Sequence, residues 1–158
     1  MKKYFAKSIN YKNIELFLND EFVGRIVYPK WYSYDVTLET LKDKFEIKME
    51  GFWNGKMVQY NAQNLKVREL KNTWTGNLIK ETFGEEYFLK MEGFLNFRYE
   101  LKSKSGKKLM TVFAKGSWKK FTLDYEIEVE DELEKDTDFI LAVLHIVNYN
   151  LQLVASHG

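Results

Sequence analysis

The sequence predicts a mainly β protein: about twelve antiparallel strands closed into a barrel around one buried, hydrophobic C-terminal helix. Three observations lead there. Apolar and polar residues alternate with period two over most of residues 3–130, as half-buried strands require. Turn-forming pairs interrupt the alternation at roughly the 8–12-residue spacing of sandwiches and barrels. Residues 139–155 then form a stretch with no glycine, no proline and no formal charge. An antiparallel protein must hide such a segment. A sheet of about twelve strands is wider than the eight-stranded barrels that side chains alone fill, and a helix about 10 Å across suits the hollow.

Taken in order, strands are expected near residues 3–8, 13–18, 21–28, 34–40, 44–50, 56–61, 64–70, 76–82, 86–91, 95–101, 108–114 and 124–130. The clearest alternations are Phe45, Ile47 and Met49 against Lys44, Glu46, Lys48 and Glu50; Leu95, Phe97, Tyr99 and Leu101 against Asn96, Arg98 and Glu100; and Tyr125, Ile127 and Val129 against Asp124, Glu126, Glu128 and Glu130. Asn19-Asp20, Asn54-Gly55, Gly84-Glu85 and Ser105-Gly106 mark turns between strands. Pro29 is the only proline, so nearly every strand residue keeps its ladder donor. An internal repeat supports side-by-side strand modules: residues 45–54 and 87–96 share Lys-Met-Glu-Gly-Phe at an offset of 42, and Trp118 begins a degenerate third unit. Gly51 and Gly93 within it mark bends.

The helix is expected over residues 137–155, capped by Asp136 or Thr137, with Asp138 in its first turn. Thirteen of the seventeen residues from 139 to 155 are apolar. The exceptions are His145, Asn148 and Gln152 in one stripe, and Asn150 facing away. A bilayer span needs ~20 residues, and no basic residue follows this one, while its leading flank is acidic. Those features turn the helix inward, as a plug. All 158 residues then read as one domain.

As a pattern the chain resembles the tubby-like superfamily, which includes LURP-one-related proteins and the phospholipid scramblases. The resemblance is carried by Tyr87-Phe88-Leu89-Lys90, by Phe97 to Leu101, by Lys108-Leu109-Met110, by Trp118 and by the 140–151 helix with His145 and Asn148. It implies a twelve-stranded barrel threaded by a C-terminal helix. Tubby domains bind phosphoinositides through basic residues, so it also implies an anionic lipid as ligand. The cysteine-rich, proline-rich and calcium-binding segments of scramblases have no counterpart, which argues against scramblase-type chemistry.

Charge and composition bound the function. The net charge of +1 divides into +8 over residues 1–125 and −7 over residues 126–138. The acidic run reads as a solvated last strand and turn, with Asp136 and Asp138 favoured by the helix dipole. With no cysteine, disulfides and thiolate metal sites are excluded. The basic start, Met1-Lys2-Lys3, is followed at once by polar residues rather than a leader's apolar core, and a cytoplasmic protein is expected. Of two histidines, His145 lies on the buried helix and His157 at its end, and no ligand-spaced partner accompanies either. Glu50 and Glu92, equivalent in the repeat, fall on the outward strand face rather than in a facing pair. No nucleophile elbow or dinucleotide loop is present, so no enzyme, metal or cofactor is expected. Nucleic-acid binding would need Trp31, Trp74 and Trp118 exposed beside a basic groove.

One cluster invites a ligand. Lys102, Lys104, Lys107 and Lys108 surround a hairpin tip with Ser103 and Ser105, and Lys119 and Lys120 follow in sequence. Ammonium groups in that number suit phosphate or an anionic headgroup. The same lysines also suit a solvated hairpin that resists aggregation. The expected function is a non-enzymatic module for anionic lipid headgroups or phosphorylated ligands, with a protein-interaction or structural domain as the alternative.

Overall fold

The computed structural model describes residues 1–9, 13–29, 35–50, 55–93, 97–117 and 122–157. Twelve strands run up and down: β1 (Lys2–Ile9), β2 (Asn13–Leu18), β3 (Glu21–Val27), β4 (Val36–Thr40), β5 (Lys44–Glu50), β6 (Lys56–Tyr60), β7 (Lys66–Thr73), β8 (Gly76–Glu81), β9 (Glu86–Gly93), β10 (Arg98–Ser103), β11 (Lys108–Ser117) and β12 (Thr122–Val129). Each pairs antiparallel with its sequence neighbours, and β1 pairs with β12, with Tyr4 opposite Ile127 and Ala6 opposite Tyr125. That last ladder closes the barrel and removes every sheet edge. The chain finishes as α1 (Thr137–His157).

Turn chemistry explains the strand boundaries. Asn19 and Asp20 both adopt positive φ, the conformation a tight two-residue hairpin between β2 and β3 demands. Before β7, Asn61 folds its side chain back to accept the amides of Gln63 and Leu65, so that strand starts two residues later than residue 64. Gly106, at φ 92, completes the β10–β11 tip. Of the Asn54-Gly55 turn, Gly55 is described and has positive φ, whereas Asn54 lies outside the described residues. The repeat reaches equivalent strands, β5 and β9. Ile47 and Leu89 are both fully buried, while its residues 51–54 and 94–96 are not described.

The helix is the centre of the core. Every residue from Phe139 to Val147 is at most 2 % exposed, and Asn148 is buried too. Ten consecutive buried residues cover every face of a helix with 3.6 residues per turn, so α1 must be walled all round. The inward strand residues supply that wall, among them Leu16, Ile26, Leu38, Ile47, Leu70, Ile79, Leu89 and Leu101. Twelve strands ~4.8 Å apart and tilted by about 40° give a barrel on the order of 24 Å across, which admits one helix and its packing layer. The helix passes close to Gly24 on β3. A Cβ there would meet the Glu39 carbonyl at 2.8 Å and Leu141 at 3.1 Å, so the missing side chain lets the helix pass.

Alternate connections fall at alternate ends. At one end, where α1 enters, lie the β2–β3, β4–β5, β6–β7, β8–β9 and β10–β11 tips and the 130–136 connector. The other end holds the remaining connections, including the Trp74-Thr75 turn between β7 and β8. Outward strand positions are repeatedly charged, as at Lys3, Lys7, Glu46, Lys48, Lys90 and Glu126, rather than forming an apolar lipid-facing band. No described helix is long and apolar enough to cross a membrane.

Candidate functional site

Polar side chains occupy the barrel interior at two levels. Near the helix entry, Arg68 on β7 continues the inward face of Leu70 and is 4 % exposed. Its Nε donates to Glu81 Oε1 at 2.8 Å and its Nη2 to Oε2 at 3.4 Å. Its Nη1 donates to Asp138 Oδ2 at 2.8 Å and to Gln59 Oε1 at 2.6 Å, and the Gln59 amide donates in turn to Asp138 at 3.0 Å. Lys135 stands 4.0 Å from Glu81, and its ammonium and the Arg68 guanidinium both lie over the Phe139 ring. Asp138 is therefore not the solvated first-turn acid that its position suggested. The network ties α1 to β6, β7 and β8, and its described members are all paired. Its chemistry is anchorage.

Deeper in, His145 and Asn148 meet two tyrosines. Tyr125 donates to Asn148 Oδ1 at 2.7 Å, the Asn148 amide donates to Tyr28 Oη at 3.0 Å, and Tyr28 Oη lies 3.2 Å from His145 Nδ1. With the tyrosine as donor to Nδ1, the proton sits on Nε2, which is buried without a partner among the described residues. Burial pushes the His145 pKa down to about 4 and both tyrosine hydroxyls well above their usual value. All three groups are neutral at pH 7. Gln152, the third residue of the stripe, is exposed, and Asn150 donates to Asn77 at 2.7 Å. The side chain of His157 lies outside the described residues. Glu50 and Glu92 do not face each other: Tyr60 donates to the first and Lys102 to the second. Among the described residues no group of three His, Cys, Asp or Glu converges on a metal position.

The lysine-bearing turn lies at the helix-entry end. Its backbone is braced from within: the Ser103 amide donates to Lys107 O, the Gly106 amide to Ser103 O, and the Lys107 amide to Ser103 Oγ. The Ser103 and Ser105 hydroxyls pair at 2.9 Å. Amides spent this way make no phosphate cradle, so the turn presents ammonium groups on a stiff frame. Lys102 pairs with Glu92 at 3.4 Å, and Lys107 with Glu132 of the connector at 2.9 Å, which holds the Glu132 carboxyl below its usual range. Lys104 and Lys108 are exposed and form no ion pair among the described residues. Lys119 and Lys120 lie outside the described residues.

A cavity of about 340 Å³ opens beside the connector, between the start of β1 and the end of β12. It is lined by Glu130, Asp131, Glu134 and Asp136 against Lys2 and Lys135, with Tyr4 and Leu133 supplying apolar surface. Four carboxylates against two lysines repel an anion. Trp74 is exposed at the far end, and Trp31 and Trp118 fall outside the described residues.

Comparison of the chain with protein-family models, curated proteins and solved structures finds no match.

Proposed function

We propose that the protein is a non-enzymatic, cytoplasmic binding module whose 102–108 turn engages anionic groups, those of lipid headgroups or of phosphorylated ligands. The observation that carries this reading is the pair Lys104 and Lys108, exposed and without an ion pair among the described residues, on a turn whose own hydrogen bonds keep it rigid. A tubby-like relationship is part of the proposal, supported by the twelve-stranded barrel around its C-terminal helix. Because α1 fills the barrel, ligand contacts belong on the outside.

Lysines near an anionic surface are worth about 1 kcal/mol each, so the four give on the order of 2–4 kcal/mol and a weak, salt-sensitive attachment. Co-sedimentation with phosphatidylserine vesicles, and titration with inositol hexakisphosphate, test it directly. Lys104→Glu/Lys108→Glu should weaken binding by about tenfold or more. Unchanged binding, or binding insensitive to salt, sinks the proposal.

A second reading rests on Trp74, wholly exposed on the β7–β8 turn, as a contact for a protein partner. It expects a partner lost on Trp74→Ser and indifferent to the lysine changes.

A further inference from the structure

The helix-entry end carries three apolar side chains at consecutive hairpin tips. Leu41 on the β4–β5 tip is 71 % exposed, Leu65 on the β6–β7 tip 64 % and Phe83 on the β8–β9 tip 97 %. The next tip around the ring is the 102–108 turn. Adjacent tips are two strands apart, roughly 10 Å, so the three side chains form separate prongs along one arc rather than a flat patch.

Each prong is held out by its own turn. Thr40 braces the first, accepting the amides of Lys42 and Asp43 at its hydroxyl while its own amide donates to Asp43 O. Asn61 braces the second through the amides of Gln63 and Leu65. The third is tied sideways to its neighbour: the Thr82 amide donates to Val67 O and its hydroxyl to Lys66 O. Each turn thus holds a large apolar group out in water, and all three stand at one end of the barrel.

Charge divides the same end in two. Segments 41–44, 61–66, 82–85 and 102–108 hold seven lysines and two acids. The 19–21 tip and the 130–136 connector, which meets the lysine turn through Lys107–Glu132, hold seven acids and one lysine, beside Lys2 and the Met1 amino group that pairs with Asp131. An anionic bilayer would attract the first arc and repel the second.

We infer that the protein seats on an anionic lipid bilayer by this arc, with Leu41, Leu65 and Phe83 entering the headgroup–acyl boundary and the 102–108 lysines lying on the headgroups. The inference rests on the anion-binding proposal above and names lipid as the source of the anion. The apolar prongs supply the second signal that a few lysines alone lack. In the seated orientation the Trp74 turn points away from the membrane.

The test uses the whole chain, whose lack of cysteine permits single-site labelling. Leu41→Ser/Leu65→Ser/Phe83→Ser should keep the cooperative melt and the affinity for inositol hexakisphosphate, but lower partitioning into phosphatidylserine–phosphatidylcholine vesicles by about a hundredfold. An environment-sensitive fluorophore on Leu65→Cys should shift to the blue on vesicles, and one on Thr75→Cys should not. That pair decides the matter if the triple variant fails to fold. Unchanged partitioning by the triple variant, or a Leu65→Cys label that stays wet, overturns the inference. The anion-binding proposal survives that outcome if Lys104→Glu/Lys108→Glu still weakens binding. No vesicle binding by the parent overturns the inference, and absent hexakisphosphate binding as well overturns both. A dimer in solution that the triple variant dissociates assigns the prongs to an interface between copies and also overturns it.

Discussion

Acidification should destabilise this protein by an increment that belongs to His145. Its ring is buried among Tyr28, Asn148 and the helix's apolar neighbours, with neutral tyrosine hydroxyls beside it and, among the described residues, no carboxylate bonded to it. Burial holds its folded-state pKa at about 4, against 6.5 for the exposed ring of the unfolded chain. Between those values the unfolded state binds the extra proton, so stability rises with pH across the window and is lost as pH falls through it. Integrating from pH 7.5 down to pH 5 gives a loss of about 2 kcal/mol, or roughly 4–8 °C in Tm for a domain of this size. The assay is a pair of thermal melts at the two pH values for the parent and for His145→Leu. The variant should lack that increment, because carboxylate titrations are common to both proteins. An equal pH dependence in the two, or an NMR titration of His145 centred near 6.5, refutes the buried neutral ring.

Two further substitutions probe how α1 is held. Arg68→Met strands Glu81 and Asp138 together in the interior and should cost about 3–5 kcal/mol in denaturant melts; Arg68→Met/Glu81→Gln/Asp138→Asn should recover much of that. A cost no larger than that of an exposed arginine would show that the network does not anchor the helix. Gly24→Val drives a branched side chain into the Glu39 carbonyl and Leu141 and should destabilise by about 2–3 kcal/mol or more, whereas Lys90→Val, at an exposed outward strand position, should cost far less. Equal effects at the two sites would refute the close helix passage.

Much of this architecture is readable from period and bulk. Alternation placed the strands because inward residues such as Ile47, Leu89 and Ile127 share one face, and the uncharged 139–155 stretch had no other place to go. The buried network was half legible. Arg68 falls in phase with Leu70, Glu81 with Ile79 and Gln59 with Met57, so period two alone puts three polar groups inside. What the pattern hides is their meeting with Asp138, which depends on how deep α1 sits. The lysine turn was visible as a tip, but its partners Glu92 and Glu132 come from a neighbouring strand and from the connector. The exposed prongs escaped notice for a related reason. Alternation put Leu65 inside the 64–70 strand, and Leu41 and Phe83 fall one residue past the expected strands 34–40 and 76–82, whereas turn hydrogen bonds shape all three tips.

The claim that confines function to the outer surface is that α1 is the core of a closed barrel. Native-state hydrogen exchange of the α1 amides measures it without altering the chain. Amides from 141 to 148 should exchange only through global unfolding, with protection equal to that of the slowest strand amides. Exchange at α1 markedly faster than in β1 and β12 would mean that the helix leaves while the barrel stands, and would contradict the account.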